Sequence, residues 1–269
     1  MPPESLTDLQ AAAEQAALAA GAVALEGYRG VLEITSKGGT DIVTQYDHGA
    51  EEAALGILRS RYPDHSFLAE ESGASGTQHA EHDLVWMVDP IDGTHNYANQ
   101  IPFWCVSVAV ADRQSGRVLA GAIYDPLHDE LFSARAGGGA TLNGQPIRTT
   151  TRSNVGQAIV AYDIGHSPDI STRMVELIAW VQPRVGKVRH LGSAALSLAY
   201  VAVGRLDAYY HLSLQPWDIG AALLLIEEAG GIVTDWHGER RLSGGGSAVA
   251  AGAELHPALL SLLRSAATP

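Results

Sequence analysis

Two aspartates three residues apart, Asp89 and Asp92, close the apolar run Trp86-Met87-Val88 and are followed by Gly93-Thr94. A strand ending at this point, with a helix starting at Gly93-Thr94, would carry both carboxylates to one spot just past its end. The same junction would present the N–H groups of Gly93 and Thr94, and amides at a helix N-terminus suit a phosphate. Paired carboxylates repel unless one is protonated or a cation lies between them. A divalent metal is the economical solution, and all-oxygen ligation favours magnesium or manganese over zinc. Two further acidic positions could join: Glu70-Glu71, after an apolar stretch around Ser66 to Leu68, and Asp218 in Pro216-Trp217-Asp218. Each also has a plainer reading: Asp218 as an acid stabilised by a helix N-terminus, Glu70 and Glu71 as a solvated pair, Asp89 and Asp92 as turn formers.

The elements that must hold these residues follow from periodicity. Leu6 to Tyr28 is rich in Ala, Leu and Glu without proline and predicts a helix, with Thr7 as its N-cap and Gly30 near its end. A second helix is expected over 45–61, where Ala50, Ala53, Ala54, Ile57 and Leu58 form an apolar stripe and Tyr62-Pro63-Asp64 stops it. Lys37-Gly38-Gly39-Thr40-Asp41 is turn chemistry. Short apolar runs at 65–68, 84–88, 103–111, 118–124 and 130–134 predict a largely antiparallel sheet, with Asn143-Gly144 as a hairpin turn. Beyond residue 150 strands (159–162, 188–191, 208–210, 231–234) alternate with helices (172–181, 193–203, 217–229), the rhythm of an α/β layer. These patterns set a boundary near residue 150, dividing the chain into 1–149, an α+β half with an antiparallel sheet, and 150–269, an α/β half; helices are expected between and outside two sheets.

Composition narrows the partners. The 269 residues carry 30 acids against 17 Lys and Arg, a net charge of −13. Sixteen acids and four bases fall within the first hundred residues, so nearly all the excess sits there. Such a chain should be repelled by nucleic acids and anionic membrane surfaces. The single cysteine, Cys105, lies in an apolar run and is expected to be a buried small hydrophobe in a reducing compartment. The opening residues lack a basic leader region, no window is apolar enough to span a membrane, and a cytoplasmic protein is expected.

Asp89-Pro90-Ile91-Asp92-Gly93-Thr94 after an apolar strand, Glu70-Glu71-Ser72 about nineteen residues earlier, and Trp217-Asp218-Ile219-Gly220-Ala221-Ala222 through Glu228-Ala229-Gly230-Gly231 together resemble the inositol monophosphatase family of magnesium-dependent, lithium-sensitive phosphatases. The resemblance runs from Lys37 and Asp41-Ile42-Val43-Thr44 through Asp47 to the last strands. It implies the layered αβαβα sandwich of the inositol monophosphatase and fructose-1,6-bisphosphatase fold, a homodimer, and two or three Mg2+ ions, with Mn2+ as a substitute. In that family pattern Glu70, Asp89 and the carbonyl of Ile91 would hold one metal and Asp89, Asp92 and Asp218 another, as suits metal-assisted hydrolysis at phosphorus. Glu70 and Thr94, with Asp47 behind Thr94, would position and deprotonate water, and the amides of Gly93 and Thr94 would grip the phosphate. Glu71 would act one step removed, and Lys37 is either a partner of the acidic cluster or an ordinary surface lysine. The alcohol half of the substrate would meet Gly192, Ser193, Ala194, Arg189 and His211, beside Asp92 and Asp218. Animal members carry a glutamate where this chain has His211, which cannot accept as many hydrogen bonds from a polyol. Inositol 1-phosphate is the leading substrate on this resemblance. Histidinol phosphate, fructose 1,6-bisphosphate, a nucleotide 3′- or 2′-phosphate, or a catalytically silent binding protein are the alternatives.

Other motifs carry less. Gly137-Gly138-Gly139 and Gly244-Gly245-Gly246 lack phosphate-loop spacing and read as turns. His79 and His82 lie in a polar loop, 72–83, without a third ligand pattern; by resemblance this loop orders when metal binds. Ser193 lacks the His and Asp partners of a nucleophile.

Overall fold

A computed structural model describes residues 5–39, 41–76, 84–165, 167–240 and 243–266; the pair His79 and His82 lies outside the described residues. The chain opens with helix α1 (Leu6–Tyr28), a hairpin of β1 (Ile34–Gly38) and β2 (Asp41–Thr44), and helix α2 (Gln45–Arg61). The N-cap of α1 is Ser5, not Thr7: Ser5 is extended and its Oγ accepts from Asp8 N at 3.1 Å, so Thr7 is already inside the helix. Alanines at 12, 13, 16, 17, 20 and 24 make one face of α1 small enough to lie close against α2 and the first sheet.

That sheet takes β3 (Ser66–Ala69), β4 (Gly73–Gly76), β5 (Leu84–Asp92), β6 (Cys105–Asp112), β7 (Val118–Asp125), β8 (Glu130–Arg135), β9 (Ala140–Leu142) and β10 (Gln145–Pro146), with the short helix α3 (Thr94–Ala98) between β5 and β6. The order is β10-β9-β8-β7-β6-β5-β3-β4, and among the described residues only the β3–β5 pair is parallel. β4 falls within the stretch expected as a loop, because glycine and serine give an edge strand no apolar alternation to read.

The second sheet runs β12-β11-β13-β15-β14. It is built from β11 (Ile159–Tyr162), helix α4 (Pro168–Val181), β12 (Lys187–His190), α5 (Ala194–Ala202), β13 (Ala208–Leu214), α6 (Pro216–Glu228), β14 (Gly231–Thr234), β15 (Gly246–Gly252) and α7 (His256–Ala266). β11 is parallel to both β12 and β13, and β15 pairs antiparallel with β13 and β14.

Three apolar cores glue five layers. One joins α1 and α2 to the outer face of the first sheet. Another places Leu196, Leu198, Ala221 and Leu225 of α5 and α6 between Met87, Ala109 and Phe132 on one side and Tyr209 and Ala250 on the other. The third packs α4 and α7 on the outer face of the second sheet. The result is the expected αβαβα sandwich, with a central core shared by residues from both sides of position 150. Cys105 is fully buried in it. No helix among the described residues is long and apolar enough to cross a membrane.

The seat of α6 depends on Gly121 of β7, where an added Cβ would meet Ala221 Cα at 2.9 Å and Cβ at 3.0 Å. Overpacking a closed core in this way costs roughly 1–3 kcal/mol. Gly121→Val is therefore expected to lower the unfolding free energy by that amount, seen as a lower urea midpoint with the slope of the transition unchanged; an unchanged midpoint would show that α6 is not held there.

Candidate active site

β5 does not stop at Val88. It continues through Asp92, with a bulge: Asp89 faces Ser107 of β6 but Asp92 faces Cys105, so Pro90 and Ile91 share one partner position. This irregularity makes the site. Along a regular strand residues three apart point to opposite faces, and one extra residue returns them to the same face. Pro90, which lacks an N–H, is tolerated at such a break in the ladder. Asp89 and Asp92 consequently both line a cavity of about 330 Å³. Gly93 follows with φ +99, and a Cβ there would meet Gly192 O at 2.9 Å, so the close approach of the two sheets needs glycine.

The cavity lies beyond the carboxyl ends of the parallel strands β11 and β12, the usual crevice of α/β sheets. Glu70, Asp89, Ile91, Asp92, Gly93, Thr94 and Asp218 line it together with Asp163, Gly165, His190, Gly192, Ala194, His211 and Ser213. Asp218 also accepts from Gln215 N at 2.7 Å, so it caps α6 and faces the cavity at once. Asp92 is 9 % exposed and accepts from Ser193 Oγ, Ala195 N (2.7 Å) and Ala194 N (3.3 Å), which places its charge on the N-terminus of α5. Thr94 Oγ1 stands 3.2 Å from Asp47 Oδ1 and 3.1 Å from Ile91 O. The fully buried Asp47 accepts from Thr44 N and Oγ1 through its other oxygen.

Most expected residues converge; two do not. Arg189 is exposed and does not line the cavity, its Nη1 donating to Val188 O, while His190 takes the cavity side of the alternating strand. Ser193 is 1 % exposed and serves as N-cap of α5 and donor to Asp92, so it stands behind the wall that Ala194 forms. Lys37 proves to be a partner of the cluster, 2.9 Å from Glu70 and 2.5 Å from Glu71. Sequence reasoning passed over Asp163, which accepts from Gly192 N (3.0 Å) and Tyr209 OH (3.0 Å) and pairs with His190 Nε2 (3.3 Å). Its signal was its place directly after a parallel strand. Asn96 was also passed over; its Nδ2 donates to Phe103 O and Leu191 O, tying the two sheets together at the cavity floor. Glu51 was a third, accepting from the amides of Glu71 and Ser72. His211 is 2 % exposed and its Nδ1 accepts from Ser213 N, which leaves the ring proton on Nε2.

Electrostatically the carboxylate cluster is under strain. Burial, then repulsion from Glu70, Asp92 and Asp218, raises the pKa of Asp89 well above the ordinary range, and burial followed by Asp92 does the same for Asp218. Asp92 is raised to about 6 by burial, held back by Ser193 and the α5 amides. Glu70 is raised by burial against the pull of Lys37. Burial opposes the charge on Lys37, but the two glutamates overcome it and raise its pKa. Among the described residues no three His, Cys, Asp or Glu side chains already form a closed ligand cluster. The donor chemistry nevertheless fits hard divalent cations: the buried Asp89 and Asp92, the partly buried Glu70 and Asp218 and the Ile91 carbonyl, all oxygen, mutually repelling and short of positive charge.

Two sheets around a shared helical layer, with an acidic cavity beyond the parallel strands, define the layered class of the inositol monophosphatase and fructose-1,6-bisphosphatase fold. A profile of the inositol monophosphatase family matches residues 5–268, and the chain belongs to that family. It is 39% identical over 238 residues to the Inositol-1-monophosphatase of Mesorhizobium japonicum, covering 87% of this chain and 86% of that one. It is 38% identical over 256 residues to the Nus factor SuhB of Salmonella typhimurium strain 14028s, covering 94% of each. The crystal structure of extragenic suppressor protein suhB from Bartonella henselae matches with a TM-score of 0.88 at 35% identity, over 96% of this chain and 98% of that one.

Because Glu70, Asp89, Asp92 and Asp218 all bind protons more tightly folded than unfolded, the native state holds more protons above the ordinary carboxylate range of about 4. Stability must then fall as pH rises through the raised values, Asp92's being about 6. In a chelator the melting temperature is expected to drop as pH rises from about 4 through about 6. His190, raised by Asp163, contributes in the same direction, so the control is Asp89→Asn. That variant should melt higher than the parent without metal and flatten the drop. A variant with the parent's pH profile would contradict the charge cluster.

Proposed function

We propose that the chain is a magnesium-dependent, lithium-sensitive phosphomonoesterase that hydrolyses a small polyol phosphate, with inositol 1-phosphate as leading substrate. The observation that carries this reading is the bulge that sets Asp89 and Asp92 beside Glu70, Asp218 and the Asp47–Thr94 pair in one cavity. Glu70, Asp89, Asp92, Asp218 and the Ile91 carbonyl would hold the ions. When bound, magnesium supplies charge that polarises a phosphoryl oxygen and lowers the proton affinity of nearby water.

The chain's own residues do the rest. Thr94 has acceptors on two sides, Asp47 Oδ1 and Ile91 O, so its single hydroxyl proton is committed and its lone pairs can accept from a water. Glu70 takes the water's other proton as the water oxygen bonds to phosphorus and the ester P–O bond breaks, and the departing alkoxide takes up a proton from solvent to leave as the alcohol. The backbone at Gly93 and Thr94 grips the phosphate. Asp163, His190 and His211 meet the alcohol, with Asp163 also fixing Gly192. Gly192 and Ala194 shape the wall there; Arg189 and Ser193 have no direct part. The family likeness also carries the homodimer and a cytoplasmic setting.

A silent binding role has one observation in its favour, the name Nus factor borne by relatives. A phosphate-release panel separates the readings: inositol 1-phosphate, histidinol phosphate, fructose 1,6-bisphosphate and nucleotide 2′- and 3′-phosphates, with magnesium, with added lithium, and with chelator. Release should require magnesium, fall with lithium and be fastest for inositol 1-phosphate. His211→Glu should change the kcat/KM ratio between two alcohols by about tenfold, the worth of one hydrogen bond of about 1.4 kcal/mol, at an unchanged magnesium requirement. No release from any ester would defeat the enzymatic reading.

A further inference from the structure

Glu51 lies one helical turn beyond Asp47 on α2, so the two carboxylates leave the same face of the helix. Both are buried, Glu51 at 4 % exposure. Asp47 backs Thr94. Glu51 turns instead to the backbone of the next element: Oε2 accepts from Glu71 N at 2.8 Å and Oε1 from Ser72 N at 3.0 Å. Those are the amides of the turn that begins with Glu70. The ladder already closes this hairpin, since Ala69 of β3 pairs with Gly73 of β4 and leaves three residues between them. Glu70 N is separately bonded to Val88 O at 3.1 Å. A two-pronged carboxylate is therefore not needed to make the turn; what it adds is a fixed pitch for the residue at its head.

We propose that Glu51 is the positioning residue for Glu70: by accepting both amides of the turn it fixes where the Glu70 carboxylate points, and so sets the affinity of the cavity for a divalent cation. The inference rests on the phosphatase reading for the use made of Glu70. One face of α2 then aligns both parts of the water-handling pair, Thr94 through Asp47 and Glu70 through Glu51. Lys37 reaches Glu70 and Glu71 through their side chains, a contact that a bound cation would compete with, whereas the Glu51 contacts are to backbone and persist.

The test uses the full chain without substrate. Mg2+ affinity is measured by calorimetry, and amide exchange at Glu71 and Ser72 by NMR, for the parent, Glu51→Gln, Glu51→Asp and the exposed neighbour Glu52→Gln. Removing a partner that orients a metal ligand typically costs 10–100-fold in affinity. Glu51→Gln, which has only one oxygen for two N–H groups, is expected to weaken Mg2+ binding by about tenfold or more and to speed exchange at one or both amides. Glu51→Asp, which keeps the charge but shortens the reach, should fall between it and the parent. Glu52→Gln should match the parent. Faster exchange with Mg2+ affinity within about twofold of the parent, in either Glu51 variant, would reduce Glu51 to a structural anchor and overturn the inference alone. A parent chain that binds no divalent cation would overturn both the phosphatase reading and this inference.

Discussion

The carboxylate of Asp92 is the joint on which the molecule turns. It leaves a strand of the first sheet and is received by Ser193 Oγ and the amides of Ala194 and Ala195, the first turn of a helix that belongs to the second half of the chain. A buried charge is tolerable only where donors surround it, and a helix N-terminus offers several aligned N–H groups and a favourable dipole. The same seam is drawn shut by Asn96, bonded to carbonyls of Phe103 and Leu191, and by the contact of Gly93 with Gly192. The cavity exists because these contacts bring the bulged end of β5 to the carboxyl ends of β11 and β12.

Concentrating acids at that seam has a cost that other parts of the structure offset. Asp47 is balanced by Thr44 and Thr94, Asp92 by α5, Asp218 by the cap of α6, and Glu70 by Lys37. Asp89 has the poorest provision: Ile91 N donates to it at 3.1 Å, and three carboxylates press on it. Low stability at functional groups is the familiar exchange for activity, and here it is spread over the cluster, with Asp89 at its centre. The excess acid in the first hundred residues thus has a structural address, and cations drawn there would turn a repellent surface into one that attracts a phosphate.

Much of this was legible in the chain itself. The aspartates, the following Gly-Thr, Glu70 and Asp218 carry their chemistry in residue type and spacing, and the helical periodicities of α1, α2 and α6 were strong. What could not be read was whatever depends on a departure from period. Three-residue spacing on a strand argues against a common face until the bulge at Pro90-Ile91 is seen. Arg189 and His190 exchange roles because one step along β12 changes the face. β15, mostly glycine and alanine after Ser247 with Val249 as its one branched residue, carries little of the pattern that marks strands, yet it is buried between β13 and β14. Asp163, Asn96 and Glu51 sit in no motif; their partners lie 29, 95 and 20 residues away.

On the proposed function, the acidic cavity becomes a phosphate site only when divalent cations compensate its charge. Titration calorimetry of inorganic phosphate into the protein tests this directly, once in magnesium and once in chelator. Saturable binding is expected with magnesium and none without it. Equal binding in both would contradict it.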